Sequence, residues 1–278
     1  IEYAPKIKNY YVWASFAETA MKEMGYNHVK TLRGSLDTSK FFRLSDEKRS
    51  SLRKSNNLSD EFIVGFVFRN QLRKSVPNML EGFKLFKEKE PKAKLLLHTH
   101  WSEGWDIPRL IKEKGINPED ILTTYICNKC GVYHISPFRG QELTCASCGT
   151  QKSVNTTNTG RGVSDSQLNE IYNLMDVYCH PFTSGGQEIP IQEAKLTEMI
   201  TLVTNYSCGE DSCSEGSGGI PLEWSEYREP GTQFIKASTS ADDIAKKLEL
   251  VRDMEQEKRV AMEKKSRQWV VDNFSVEV

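Results

Sequence analysis

Four short runs in this chain are largely apolar on both faces and alternate with segments of helical periodicity, and that alternation limits the possible folds more than any other feature. The runs are 62–68, 94–99, 176–181 and 200–205. Strands that bury both faces belong to a parallel sheet covered by helices, whereas a strand with one wet face alternates apolar and polar residues. Helices are expected at 77–88, 107–114, 164–175 and 191–198. The order βαβα predicts an α/β fold with a doubly wound parallel sheet.

Length sets the scale of the core. A chain of 278 residues with 38% hydrophobic content buries one large core and has room for an excursion, but hardly for two full domains. The formal charge is −1, from 37 basic and 38 acidic residues, so no global field draws in nucleic acid or an anionic membrane. No run of about 18 apolar residues predicts a membrane span, and nothing near the start resembles a signal peptide. The chain opens at Ile1 on an amphipathic stretch, which suggests missing sequence upstream.

The flanks read differently. A strand and a helix are expected between Tyr10 and Met24, then a polar connector, Arg33-Gly34-Ser35-Leu36-Asp37, and a charged stretch, 45–57. Residues 208–219 read as a polar loop rich in Gly, Ser and acidic residues. From 240 to 274 the pattern predicts one long charged helical stretch packing one face on the sheet. Ser240 would be its N-cap, Asp242 and Asp243 would lie in its first turn, and Ile244, Leu248, Val251 and Met254 recur at helical spacing.

Seven cysteines is an odd number, and four of them form two C-x-x-C pairs, Cys127/Cys130 and Cys145/Cys148, separated by 14 residues. This is close to the spacing of a four-cysteine zinc ribbon, with Gly131 and Gly149 placed for the tight turns. A pair of disulfides and a redox dithiol are the alternatives. Four thiolates leave no open coordination position, so Zn2+ here would be structural. His134 lies between the knuckles as a further candidate ligand, with a plain surface role the other reading. Metal-binding thiols favour a reducing compartment, and the expected location is cytoplasmic.

Two cations follow the first apolar run, Arg69 at its end and Lys74 just before the helix expected at Pro77. A strand's carboxyl end beside a helix N-terminus suits a diphosphate. His98 and His100 end the second run, where they could line a sugar or acceptor pocket or serve as structural histidines. Cys208 and Cys213 read as metal ligands or, more simply, as free thiols.

After the third run comes Pro181-Phe182-Thr183-Ser184-Gly185-Gly186-Gln187-Glu188-Ile189-Pro190-Ile191-Gln192-Glu193-Ala194. This segment resembles the P-S-x-x-E-G-F-G-x-P-x-x-E-A signature of retaining GT-B glycosyltransferases of the group 1, family 4-like type. Gly65 to Arg69 with Lys74 resembles their G-R-x4-K element. Residues 168–177 resemble the helix and strand before the signature, and Arg33 to Asp37 with Phe41 resembles the linker between lobes.

The resemblance implies a Rossmann-like donor lobe at 61–124 and 162–278, a zinc-ribbon insertion at 125–161, an interlobe linker at 33–60, and the tail end of an acceptor lobe at 1–32. It implies transfer of a hexosyl or pentosyl group from a nucleoside diphosphate sugar to an unknown hydroxyl, with retention and without a catalytic metal. Arg69 and Lys74 would hold the diphosphate and act in catalysis, and Glu193 would bind the ribose. Gly185, Gly186, Glu188 and His98 would complete the donor site. The pattern departs from the family at Gly185, where a sugar-contacting glutamate is usual, and at Glu188, where glycine is usual. The competing expectation is a non-catalytic module whose degenerate donor lobe and ribbon contact nucleic acid or protein.

Overall fold

A computed structural model describes residues 3–158 and 160–276. In chain order the strands and helices are β1 (Tyr11–Val12), α1 (Ser15–Glu23), β2 (Lys30–Thr31), α2 (Asp46–Ser55), β3 (Phe62–Val67), α3 (Val76–Lys89), β4 (Ala93–His98), α4 (Ile107–Glu113) and β5 (Ile121–Cys127). Next come β6 (Tyr133–Pro137), β7 (Val154–Thr156), α5 (Asp165–Leu174), β8 (Val177–His180), α6 (Ile189–Leu196), β9 (Thr201–Thr204) and α7 (Cys208–Ser212). The chain closes with β10 (Gly219–Leu222), β11 (Trp224–Arg228), β12 (Ile235–Thr239), α8 (Ala241–Arg252) and α9 (Gln256–Phe274).

The main sheet runs β10-β9-β8-β3-β4-β5-β6, with β7 also paired to β5. From β10 to β5 every pairing is parallel, and β6 and β7 join β5 antiparallel. The alternation along β3 shows how the sheet is covered on both sides. Val64, Phe66 and Phe68 enter one core with α3, α4 and α8, while Ile63 and Val67 enter the other with α5, α6 and α9. Gly65 shares the second face, and a Cβ there would stand 2.0 Å from Met175 Sδ, so close packing requires glycine. On α3, Met79, Leu80, Phe83 and Phe86 are fully buried, each worth roughly 1.5–3 kcal/mol.

Local signals explain the helix starts near the site. Ser164 and Gln167 form a reciprocal capping box on α5, with bonds of 3.2 and 3.0 Å. Helix α3 starts at Val76 and Pro77, directly after Ser75, whose left-handed backbone (φ +38°) is uncommon for a residue with a side chain.

Three expectations change. The stretch 240–274 is two helices, not one. Asp253 ends α8, held by its own pairing with Arg252 at 2.7 Å, and Glu255 is extended before α9. The break carries the chain around the sheet, so Ile244, Leu248 and Val251 pack on one face while Val270 and Phe274 pack on the other. Ser240 does cap α8, accepting from Asp243 N at 3.2 Å. The polar loop 208–219 contains α7 and leads into β10, because the Ser207–Glu210 capping box starts a helical turn. Finally, β5 is a full sheet strand that ends in the first ribbon cysteine.

The N-terminal segments are docked. Helix α1 meets α7, where Ser15 N donates to Asp211 at 3.0 Å and Arg33 pairs with the same carboxylate at 3.4 Å. Strands β1 and β2 form a separate two-stranded parallel sheet. Helix α2 is pinned to the end of α5 by Arg49, donating to Asn173 O at 2.8 Å, and by Arg53, pairing with Asp176 at 2.9 Å. Among the described residues, no helix is long and apolar enough to cross a membrane.

Candidate functional site

Strand order reverses between β3 and β8: from β3 the chain builds outward through β4 and β5, then returns to add β8, β9 and β10 on the other side. Such a switch point leaves a crevice at the carboxyl ends of the two strands. The loops leaving β3 and β8 meet there, with Thr183 N donating to Arg73 O at 2.8 Å.

Within this crevice lies a buried charged cluster. Lys74 Nζ donates to one Glu188 carboxylate oxygen and Arg73 Nη1 to the other. His180 Nε2 lies 3.2 Å from Lys74 Nζ and 3.3 Å from Glu188. Tyr178 gives its hydroxyl proton to Val67 O at 2.9 Å, so its oxygen accepts from His180 Nδ1 at 2.8 Å. That tautomer leaves Nε2 as an acceptor for Lys74. Burial, reinforced by the Lys74 charge, pushes His180 down to about 4, so the ring is neutral. For Glu188, burial alone would raise the carboxyl, but the Lys74 and Arg73 charges outweigh it and hold it well below the usual carboxylate range.

The glycine at 185 belongs to the same geometry. A Cβ there would stand 2.7 Å from Glu188 Oε1 and 3.2 Å from Cys208 Sγ. Glu188, the residue before α6, thus reaches back into the space that a side chain at 185 would enter. Gly186 is exposed and its Cβ position is open. Outside the cluster, Arg73, Ser184, Gly185, Gly186, Tyr206 and Ser207 help line a hollow of about 550 Å³.

Arg69 faces elsewhere. Together with Phe68, His98, Thr99, Thr157 and Asn158 it lines a second hollow of about 160 Å³. Its side chain is 58% exposed, and its nearest acid, Glu103, is 3.9 Å away. His98 bonds through Nδ1 to Thr124 Oγ1 at 2.9 Å, and burial pushes it down to about 4. His100 lines the same hollow. Glu193, partly exposed on α6, accepts from Tyr172 OH at 2.7 Å, and burial raises its carboxyl.

Of the candidate residues, Lys74, Glu188 and Gly185 come together, Arg69 and His98 share the smaller hollow, and Glu193 stands on α6 beside Tyr172. Sequence reasoning passed over Arg73, the cation in direct contact with Glu188. Its signal was the Arg73-Lys74 pair in a strand-end loop, obscured by the spacing that led from Arg69 to Lys74.

The four ribbon cysteines form one group, with all ligand atoms within 4.8 Å of one another. The Sγ atoms of Cys127 and Cys148 are 3.8 Å apart, as are those of Cys130 and Cys145. A tetrahedron of thiolates about 2.3 Å from a metal has edges of about 3.8 Å, so the donor set fits such an ion. Lys129 N points to Cys127 Sγ at 3.4 Å, and the Ser153 and Thr150 hydroxyls lie 3.3 Å from Cys127 and Cys148. His134 stacks on Tyr125, with ring centroids 5.2 Å apart, outside the group. Cys208 and Cys213 are free thiols, and neither joins a metal-ligand group among the described residues.

No family model and no curated protein matches the chain by sequence. Solved structures do match. A glycosyltransferase from Rickettsia africae has a TM-score of 0.67 at 13% identity, covering 97% of this chain and 60% of that one. Anabaena Alr3699/HepE in complex with UDP-glucose gives 0.65 at 13% identity, with the same coverage. This chain has the fold of a Rossmann-like GT-B glycosyltransferase lobe. It spans 60% of the length of those two structures. The C-terminal domain of a group 1 glycosyltransferase from Francisella tularensis is 99% covered by 87% of this chain, with a TM-score of 0.56 at 14% identity.

Proposed function

We propose that this chain is the donor-binding lobe of a glycosyltransferase that takes a sugar from a nucleoside diphosphate sugar. The observation that carries the reading is the convergence of Arg73, Lys74 and the Gly185-Gly186 turn at the point where strand order reverses. A diphosphate placed there meets cations from the β3 loop and backbone amides from the loop into α6. UDP-glucose in the HepE complex supports a nucleotide sugar as the ligand class.

In this reading the donor extends across both hollows, with Arg73 and Lys74 at the larger and Arg69 at the smaller holding its diphosphate and stabilising the charge of the departing nucleotide. Glu193 takes the ribose hydroxyls from its partly exposed position on α6, while His98 and Gly186 line the pocket. The sugar, hexosyl or pentosyl, passes to a hydroxyl with retention at the anomeric carbon. Residues 61–124 and 162–278 form the lobe and 125–161 the insertion, whose four thiolates hold a structural Zn2+. Residues 33–60 are the interlobe linker, and 1–32 are the tail end of an acceptor lobe.

A second reading, a non-catalytic module, is favoured by Glu188, which already neutralises Lys74 and fills the space at Gly185. Calorimetric titration with UDP, GDP and ADP and their glucose esters tests both. At least one should bind, at least ten-fold more weakly after Arg69→Ala with Arg73→Ala. No binding by any of them sinks the donor site. Binding without transfer to any acceptor by the full-length protein selects the second reading, and the anomeric configuration of a transferred sugar decides retention.

A further inference from the structure

The ribbon is built into the smaller hollow. Strand β5 supplies both: Thr124 holds His98, and the following residue, Tyr125, enters the ribbon's own core with Cys127, Cys145 and Val154. Trp101, just beyond β4, stacks on Phe138 from the ribbon with ring centroids 4.3 Å apart at 11°. Its backbone N donates to Thr156 Oγ1 at 3.4 Å, and Gln141 of the ribbon clasps Thr156 from the other side, at 2.7 and 2.9 Å. The next residues, Thr157 and Asn158, line the hollow together with Arg69. Thr99 also lines the hollow, and its buried hydroxyl has no partner.

Among the described residues the ribbon's own buried core is Tyr125, Cys127, Cys145 and Val154, flanked by Phe138 and Leu143, while Ile135 packs into the second core of the sheet. So small a core does not hold itself together, and in modules of this size metal binding supplies the folding free energy. Two of the four thiols belong to that core, while Cys130 and Cys148 are exposed. Loss of the metal would therefore loosen β7, and with it the Gln141–Thr156 clasp and the Thr157–Asn158 wall, while Ile135 keeps β6 in the second core.

We propose that the four-cysteine ribbon is a metal-clamped wall of the smaller hollow, where Arg69 and His98 meet one end of the donor, so that nucleotide binding depends on an ion that never touches the nucleotide. This rests on the donor-site reading above, and the test separates the two. The whole chain, loaded with zinc, is titrated with whichever of UDP, GDP and ADP binds best. The same titration follows metal removal by a strong chelator and, separately, Cys130→Ser with Cys148→Ser. Affinity should fall at least ten-fold in both cases, and restored zinc should rescue the chelated wild type but not the variant. Equal affinity with and without metal overturns the proposal.

Amide hydrogen exchange, which needs no ligand, provides the second measurement. On metal loss, 99–105, 154–158 and 160–162 should lose protection while β3 and β8 keep theirs. If β3 and β8 open as well, the metal holds the whole fold rather than one wall, and the proposal fails. If metal-loaded protein binds no nucleotide, the donor-site reading fails by itself, and unchanged exchange at 99–105 then refutes the ribbon as a wall.

Discussion

Arg69 and Arg73 sit four residues apart in one loop, yet face hollows of opposite character. Arg73 is bound to Glu188 beside a buried lysine, and its hollow begins where that pair ends. Arg69 is mostly exposed, with Glu103 no nearer than 3.9 Å. The difference teaches that a cation's readiness for a ligand depends on whether the fold already supplies its counter-ion. A diphosphate can approach Arg69 directly, but it reaches Lys74 only by competing with a carboxylate that is 4% exposed. Glu188 is that competitor because Gly185 leaves it the space.

The strongest way to break this contrast is Glu188→Gln. Removing one member of a buried ion pair strands the other, so the variant should lose about 3–5 kcal/mol in urea denaturation. A loss below about 1 kcal/mol would show that Lys74 does not depend on Glu188, and the two hollows would then be alike.

A pH series sharpens the comparison, since each region holds one buried histidine. His98 and His180 are both pushed from the ordinary 6.5 to about 4, chiefly by burial. Below pH 6.5 the unfolded chain takes up protons that the folded chain refuses, so the stability present above 6.5 drains away as pH falls toward 4. Each ring accounts for roughly 3 kcal/mol over that window, at about 1.4 kcal/mol per pH unit. His98→Gln should lower the slope between pH 6 and 4.5 by up to about 1.4 kcal/mol per pH unit, the share of one ring. An unchanged slope would mean that His98 is protonated or solvated in the fold.

The smallest effect on stability is expected from Arg69→Ala. With no close partner to strand, the change should stay within about 0.5 kcal/mol in the same denaturation experiment. A larger loss would show that Arg69, like Arg73, is already committed within the fold.

Much of the architecture was legible because period and burial write themselves into composition. β3, β4, β8 and β9 were all expected, each within a residue or two of its observed ends. Strand β5 was missed because Thr123 and Thr124 interrupt its apolar run, although both are fully buried. Their hydroxyls are satisfied by Leu97 O at 3.3 Å and His98 at 2.9 Å, partners that lie on another strand. The split between α8 and α9 was hidden because helical periodicity continues on both sides of Asp253 while the face being buried changes.

By itself, then, the sequence determined the alternation of strand and helix, the two C-x-x-C knuckles, and cations at the end of β3, since each depends on residues close in the chain. Only the tertiary structure decided which cation is free, because Lys74 and Glu188 meet across 114 residues. It also brought Thr157 and Asn158 to the smaller hollow and stacked Trp101 on Phe138. Contacts of that range leave no local pattern: a lysine with a buried counter-ion and a lysine in water have the same neighbours in sequence.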